Sequence, residues 1–134
     1  MAKKQNYIFT VGRRRTSVAR VRLFHAKGEN TVNAMPIGKY FPGLINQTAW
    51  EKPFGLTETS AKYYISAKVL GGGPSSQLEA VVLGVARALS KANPEKFRAV
   101  LKKAGLLVRD ARIRQRRMVG MGGKSRRQKQ SPKR

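Results

Sequence analysis

Cysteine is absent from all 134 residues, which excludes disulfide frameworks and thiolate metal sites. Acid is scarce too. The six carboxylates (Glu29, Glu51, Glu58, Glu79, Glu95 and Asp110) are scattered, and no two have a spacing that suggests paired acid/base work. Histidine occurs once, as His25 at a strand end, where a structural role is commoner than a catalytic one. Metal-ligand clusters are missing. No apolar run approaches the roughly 20 residues that span a bilayer, and the opening "MAKKQNYIFTVGRRR" lacks the apolar stretch of a signal peptide. These absences point to a non-enzymatic protein of a reducing compartment, with no cofactor, no metal, no membrane and no small-molecule substrate.

Positive charge is what the chain has in excess: 29 Lys+Arg, for a formal net charge of +23 at pH 7. Residues 1–108 hold 18 basic and five acidic groups, and residues 109–134 hold 11 basic groups and one acid. Body and tail are both basic. A field of this sign and size favours polyanions on several sides of the molecule, nucleic acid first among them. Apolar residues make up 40%, enough for one core.

Periodicity predicts where that core lies. "NYIFTVG" (6–12) and "SVARVRLFH" (17–25) read as strands, the second with Ala19, Val21 and Leu23 on one face and Arg20 and Arg22 on the other. "AKGEN" then supplies turn residues before "TVNAM" (31–35), which predicts a hairpin. Residues 40–55 mix short helix with loop. "AKYYISAKVL" (61–70) is a strand with Tyr63, Ile65, Ala67 and Val69 on one face, ended by "GGGP". A helix follows, with Ser76 and Glu79 at capping-box spacing and an apolar stripe of Leu78, Val82, Val85, Ala86 and Leu89. Asn93 is the expected N-cap of a second helix, with Pro94 at N1, Phe97, Val100 and Leu101 toward the core, and Gly105 as its stop. The expected fold is α+β: a two-layer body with a mixed β-sheet covered by helices over residues 1–108. Residues 109–134 are expected as a basic helix, with Asp110 four residues before Arg114, and an extended C-terminal tail.

Three stretches are candidate sites. "GRRRTSVARVR" (12–22) places Arg13, Arg14, Arg15, Arg20 and Arg22 in eleven residues without an acid. The bland reading is a turn and a solvated strand face; the sharper one is phosphate contact, since arginine forks match phosphate oxygens. "GGGPSSQLE" (71–79) offers Gly71, Gly72 and Gly73 either as a simple strand end or as bare backbone approaching a phosphate beside helix amides. The dinucleotide pattern fails there because Ser76 stands at the third glycine position. "GMGGKS" (120–125) is not a phosphate loop, since Met118 occupies the place of its first glycine. Trp50, Tyr40 and Tyr64 could stack on bases, although core packing is the commoner use.

"GRRRTSVARVRL", "KVLGGGPSSQLEAVVLGVARAL" and "LKKAGLLVRDAR", with a basic tail ending in Lys-Arg, closely resemble the bacterial-type small-subunit ribosomal protein nine family. The similarity covers most of the chain in the family's order and is weakest over 27–60. It implies a structural protein of the small-subunit head, in a bacterial cytoplasmic or an organellar ribosome, bound to 16S-type rRNA and to neighbouring head proteins. It further implies a tail that touches the anticodon stem-loop of peptidyl-site tRNA. Arg13, Arg14 and Gly71 to Gly73 match rRNA-facing blocks, and Arg126 and Arg127 match the tail's upstream arginines. Lys133 and Arg134 match the terminal pair. Together with the charge pattern this gives an expected rRNA set that also includes Arg15, Arg20, Arg22, Arg109, Arg112, Arg116, Arg117 and Lys124, and a tRNA set of Lys129, Lys133 and Arg134. The tail departs from the family at Gln128, Lys129, Ser131 and Pro132, where a third arginine, a proline, a phenylalanine and a serine are usual. Two rivals come from other classes. One is a histone-like DNA-binding protein; the other is a small-molecule kinase, which "GGGPSS" echoes only faintly.

Overall fold

A computed structural model describes residues 6–119. Five strands and four helices follow in the order β1 (Tyr7–Arg14), β2 (Ser17–Phe24), β3 (Thr31–Val32), β4 (Met35–Pro36), α1 (Ile37–Tyr40), α2 (Leu44–Thr57), β5 (Tyr64–Leu70), α3 (Pro74–Ala92) and α4 (Pro94–Lys103). They form one mixed sheet in the order β1-β2-β5-β3-β4. Its three long strands pair antiparallel, and β3 runs parallel to β5. This is the expected α+β architecture, with the helices on one side of the sheet.

The alternation read in β2 decides which face is covered. Ala19, Val21 and Leu23 are buried, as are Ile65, Ala67 and Val69 of β5. Across from them lies the α3 stripe, with Leu78, Val85, Ala86 and Leu89 buried and Val82 partly so. Each such aliphatic side chain removed from water stabilises the body by about 1.5–3 kcal/mol. Helix α3 crosses β1 at very close range because glycines meet there. A Cβ on Gly12 would strike the Ala80 carbonyl and the Gly84 amide, and one on Gly84 would lie 2.6 Å from a Val21 methyl. The Thr10 hydroxyl donates to the Gly84 carbonyl at 2.7 Å, and the Arg87 guanidinium donates to the Val11 carbonyl at 2.8 Å. Strand and helix are thus joined by polar bonds as well as apolar contact.

Several local expectations are corrected. Residues 31–35 do not form a hairpin with β2. Val32 instead pairs in parallel with Ala67 of β5 and turns back at Asn33-Ala34 to meet Met35. Both turn residues have positive φ (51° and 66°), and the Asn33 side chain satisfies the neighbouring edge by accepting from the Val69 N–H at 2.8 Å and donating to its carbonyl at 3.1 Å. Ser76 is not the cap of α3. The helix begins two residues earlier at Pro74, and the Ser76 hydroxyl accepts from the Gly73 N–H at 3.3 Å. Asn93 does cap α4, accepting from the Lys96 N–H at 3.3 Å, and Gly105 follows that helix with φ of 75°. Leu101 is buried and Phe97 packs on the core, but Val100 is 39% exposed. Residues 40–55 are more helical than expected, since α2 runs from Leu44 to Thr57 through Pro53.

Residues 109–118 are not a helix. No regular hydrogen-bonded structure forms there, and Asp110 pairs with Arg112 rather than Arg114. The reason is tertiary: Asp110 and the Arg112 carbonyl are both held by a side chain of β1.

Candidate nucleic-acid interface

The sheet's other face carries no helix among the described residues and shows a regular grid of side chains. Register places Tyr7, Phe24 and Tyr64 in one row, Phe9, Arg22 and Ser66 in the next, and Val11, Arg20 and Lys68 in the third. Arg13, Val18 and Leu70 make a fourth. Four of these twelve are cations and none is an acid. Arg13, Arg20, Arg22 and Lys68 are all exposed, on strands about 4.8 Å apart. Like charges this close repel one another unless anions lie between them. Phe24 and Tyr64 stack with ring centroids 4.8 Å apart, and Tyr7 tilts against Phe24 at 5.5 Å. The Arg22 guanidinium sits 5.2 Å from the Tyr7 ring centroid, a cation–π contact that fixes where its charge points.

The glycine loop borders this grid at the Leu70 end. Gly71 and Gly72 have φ of 79° and 66°, and added Cβ atoms would collide with the Thr16 carbonyl and with the Ser17 hydroxyl respectively. The Gly71 carbonyl already has protein partners: the buried Ser17 hydroxyl donates to it at 2.9 Å, and the Gln77 amide donates to the same oxygen at 2.9 Å. Tyr40 donates to Gln77 at 2.8 Å and accepts from Asn33 at 3.2 Å. Packing by itself therefore requires glycine at positions 71 and 72.

Of the arginines expected to face RNA, one is turned inward. Arg14 is 7% exposed. Its Nε donates to the Glu79 carboxylate of α3, its Nη1 to the Arg112 carbonyl at 2.7 Å, and its Nη2 lies 3.5 Å from Asp110. A planar guanidinium can address three acceptors at once; an ammonium cannot hold that geometry. Arg112 closes the cluster by donating to Asp110 through its side chain at 2.8 Å and its backbone N–H at 3.0 Å. These two bonds, and then the charges of Arg112 and Arg14, hold the Asp110 carboxyl well below its ordinary pKa. The same contact raises the Arg112 pKa. Arg14 thus joins β1, α3 and the first residues of the basic C-terminal segment.

Arg15 is exposed at the β1–β2 turn with φ of 53°. Arg116 is exposed, and Arg109 and Arg117 are partly buried. Arg109, Arg112, Arg116 and Arg117 lie on the segment after α4 rather than on the grid. Lys124, Arg126, Arg127, Lys129, Lys133 and Arg134 lie outside the described residues. Tyr40 and Trp50 pack against the core and Tyr64 stacks in the sheet, the structural uses expected of them. His25 lies against the Tyr63 ring at 4.8 Å. Sequence reasoning missed Phe9, Lys68 and Glu79. Lys68 alternates with Ala67 and Val69 and could have been assigned to the arginine face from that pattern alone.

Fold and site together define a small basic α+β protein with one helix-covered face and one cationic sheet face. No cluster of His, Cys, Asp or Glu able to hold a metal occurs among the described residues, and none of their helices is long and apolar enough to cross a membrane. The family model for ribosomal protein S9/S16 matches residues 12–134. The small ribosomal subunit protein uS9 of Maridesulfovibrio salexigens is 43% identical over 123 residues, covering 92% of each chain. The uS9 proteins of Arthrobacter sp. (strain FB24) and Leifsonia xyli are 41% and 42% identical over 111 residues, 83% of this chain and 66% of their own length. The chain belongs to the ribosomal protein S9/S16 family, whose members are structural constituents of the ribosome and not enzymes.

Proposed function

We propose that this chain is a structural constituent of the small-subunit head that binds 16S-type rRNA through its open sheet face. Its last residues, Lys129, Lys133 and Arg134, contact the anticodon stem-loop of peptidyl-site tRNA. The observation that carries the rRNA reading is the acid-free grid, where Arg13, Arg20, Arg22 and Lys68 are exposed on three adjacent strands. Phosphates over those strands relieve a repulsion that no carboxylate among the described residues neutralises by an ion pair. Family membership supports the same reading. The tRNA contact rests on the match of the terminal Lys-Arg pair to the family's tail.

Replacing Arg13, Arg20 and Lys68 together by Gln tests the rRNA half. All three are exposed, so the body should stay folded while rRNA affinity falls. The slope of log affinity against log salt should flatten by roughly one unit per lost phosphate contact. An unchanged slope means that the face is merely solvated. For the tail, subunits reconstituted with protein lacking Lys124–Arg134 should assemble but hold peptidyl-site tRNA less tightly, whatever the anticodon, because phosphate contacts do not read sequence. Failed assembly with normal tRNA binding would make the tail an rRNA anchor instead.

A further inference from the structure

We infer that Phe9 is a stacking platform for an unpaired base of the bound RNA, with Arg20, Arg22 and Lys68 receiving the phosphates on either side. The inference deepens the rRNA reading above and depends on it. Phe9 projects from an edge strand onto the open face, where it is 46% exposed. The neighbouring aromatics are already engaged: Phe24 is stacked on Tyr64 and tilted against Tyr7, and the backbone at Gly28 closes over the Tyr64 ring. Phe9 has no ring partner among the described residues.

Its surroundings favour a nucleotide over an apolar partner. The residue directly opposite is Arg22, whose guanidinium is drawn over Tyr7 and so leaves the Phe9 ring uncovered while standing beside it. One row further on, Arg20 faces Lys68. Phe9, Arg20, Arg22, Ser66 and Lys68 line an open groove of about 690 Å³ that runs on to the Asn33-Ala34 turn. That is room for a nucleotide, and three of these five residues are cationic. A hydrophobic protein segment would have to desolvate those charges without compensating them, whereas single-stranded RNA supplies a ring face and phosphates together. A paired stem offers no free base face, so this site selects unpaired nucleotides. Ser66, in the same row as Phe9, is placed to hydrogen-bond a base edge or a 2′-hydroxyl.

The test uses the full-length protein, purified 16S-type rRNA, and the variants Phe9→Leu, Phe9→Tyr and Arg20→Gln. Stacking on one aromatic is worth enough that Phe9→Leu should weaken binding roughly 5- to 150-fold. The salt slope should not change, because no charge is lost. Phe9→Tyr should restore binding, and Arg20→Gln should flatten the slope. Leucine suits an exposed strand position, and a matching melting temperature verifies that the variant is folded. Leu binding as tightly as Phe, with Arg20→Gln still altering the slope, overturns the platform and leaves the rRNA reading standing. If neither variant changes binding, both fail. If Phe9→Leu spares RNA affinity but impairs joining of a neighbouring subunit protein, Phe9 is a protein contact and the inference is wrong.

Discussion

Arg14 offers the sharpest perturbation, because one side chain bonds to three separate parts of the chain. Replacement by Met keeps most of the buried stem and removes the guanidinium, so the effect isolates the polar cluster. The lost bonds to Glu79 and to the Arg112 carbonyl are charge-assisted, each worth about 1.5–3 kcal/mol where solvent is excluded. Glu79 is 53% exposed and rehydrates once released, and the desolvation of Arg14 itself opposes the gain. We therefore predict a net loss of about 2 kcal/mol, which for a body of this size lowers Tm on the order of 10 °C. The second effect is local. Without Arg14, residues 110–112 lose their attachment to β1, and amide exchange there should accelerate beyond what global destabilisation produces in α3. Hydrogen exchange followed by mass spectrometry on folded protein separates the two. Arg14→Lys should behave like Arg14→Met, since the three N–H groups of an ammonium radiate from one nitrogen and cannot reach acceptors spread around Nε, Nη1 and Nη2 of a planar fork. If Lys preserves both Tm and protection at 110–112, the cluster is no more than a buried charge and the reasoning fails.

Gly12→Ala should be more damaging than any surface change, because its methyl meets backbone of α3 that has nowhere to move; we expect a loss of about 3 kcal/mol or failure to fold, checked by urea unfolding. For Asp110 the sign follows from its lowered pKa. Its contribution to stability is fully present above the ordinary carboxyl value of 3.8 and disappears as pH falls through the folded value. Between pH 5 and 7 the Tm difference between the parent and Asp110→Asn should hence be constant, and below about pH 4 it should shrink; a gap that stays constant to pH 2 would count against the ion pairs. Asn33→Ala should loosen the β3–β4 turn and free the Val69 edge, at a cost of about 1–2 kcal/mol, visible as faster exchange of the Val69 amide.

Strand and helix identities were legible wherever one face of an element meets water and the other meets the core. β2 and β5 satisfy that condition, and their buried sets follow from period alone: Ala19, Val21, Leu23, then Ile65, Ala67, Val69. In α3 the period finds Leu78, Val85, Ala86 and Leu89, but Ala80, Val81, Leu83 and Ala88 are buried as well, because the helix packs on the sheet and on other helices at once, and Val82 is only partly covered. The capping of α4 by Asn93 is equally local. Charge is also a property of composition, so a polyanion partner was inferable before any fold. β1 is different. Tyr7, Ile8, Phe9, Thr10 and Val11 show no contrast between alternate positions, and only pairing with β2 and contact with α3 decide that Phe9 points to the open face.

Tertiary structure decided whatever depended on residues distant in the chain. The carboxylate partner of Arg14 on α3 is 65 positions away and its carbonyl partner 98, and nothing near Arg14 in sequence distinguishes it from exposed Arg13. Asp110 has a favourable helical spacing to Arg114, worth only about 0.2–0.5 kcal/mol. The ties through Arg14 and Arg112 outweigh that, and the segment is not helical. Ser76 and Glu79 fit a capping box by spacing, yet the helix starts at Pro74, with Gly73 as N-cap and Ser76 at N3 accepting from the Gly73 N–H. Local pattern governs an element when the competing interactions are local; here long-range bonds to a buried guanidinium were stronger.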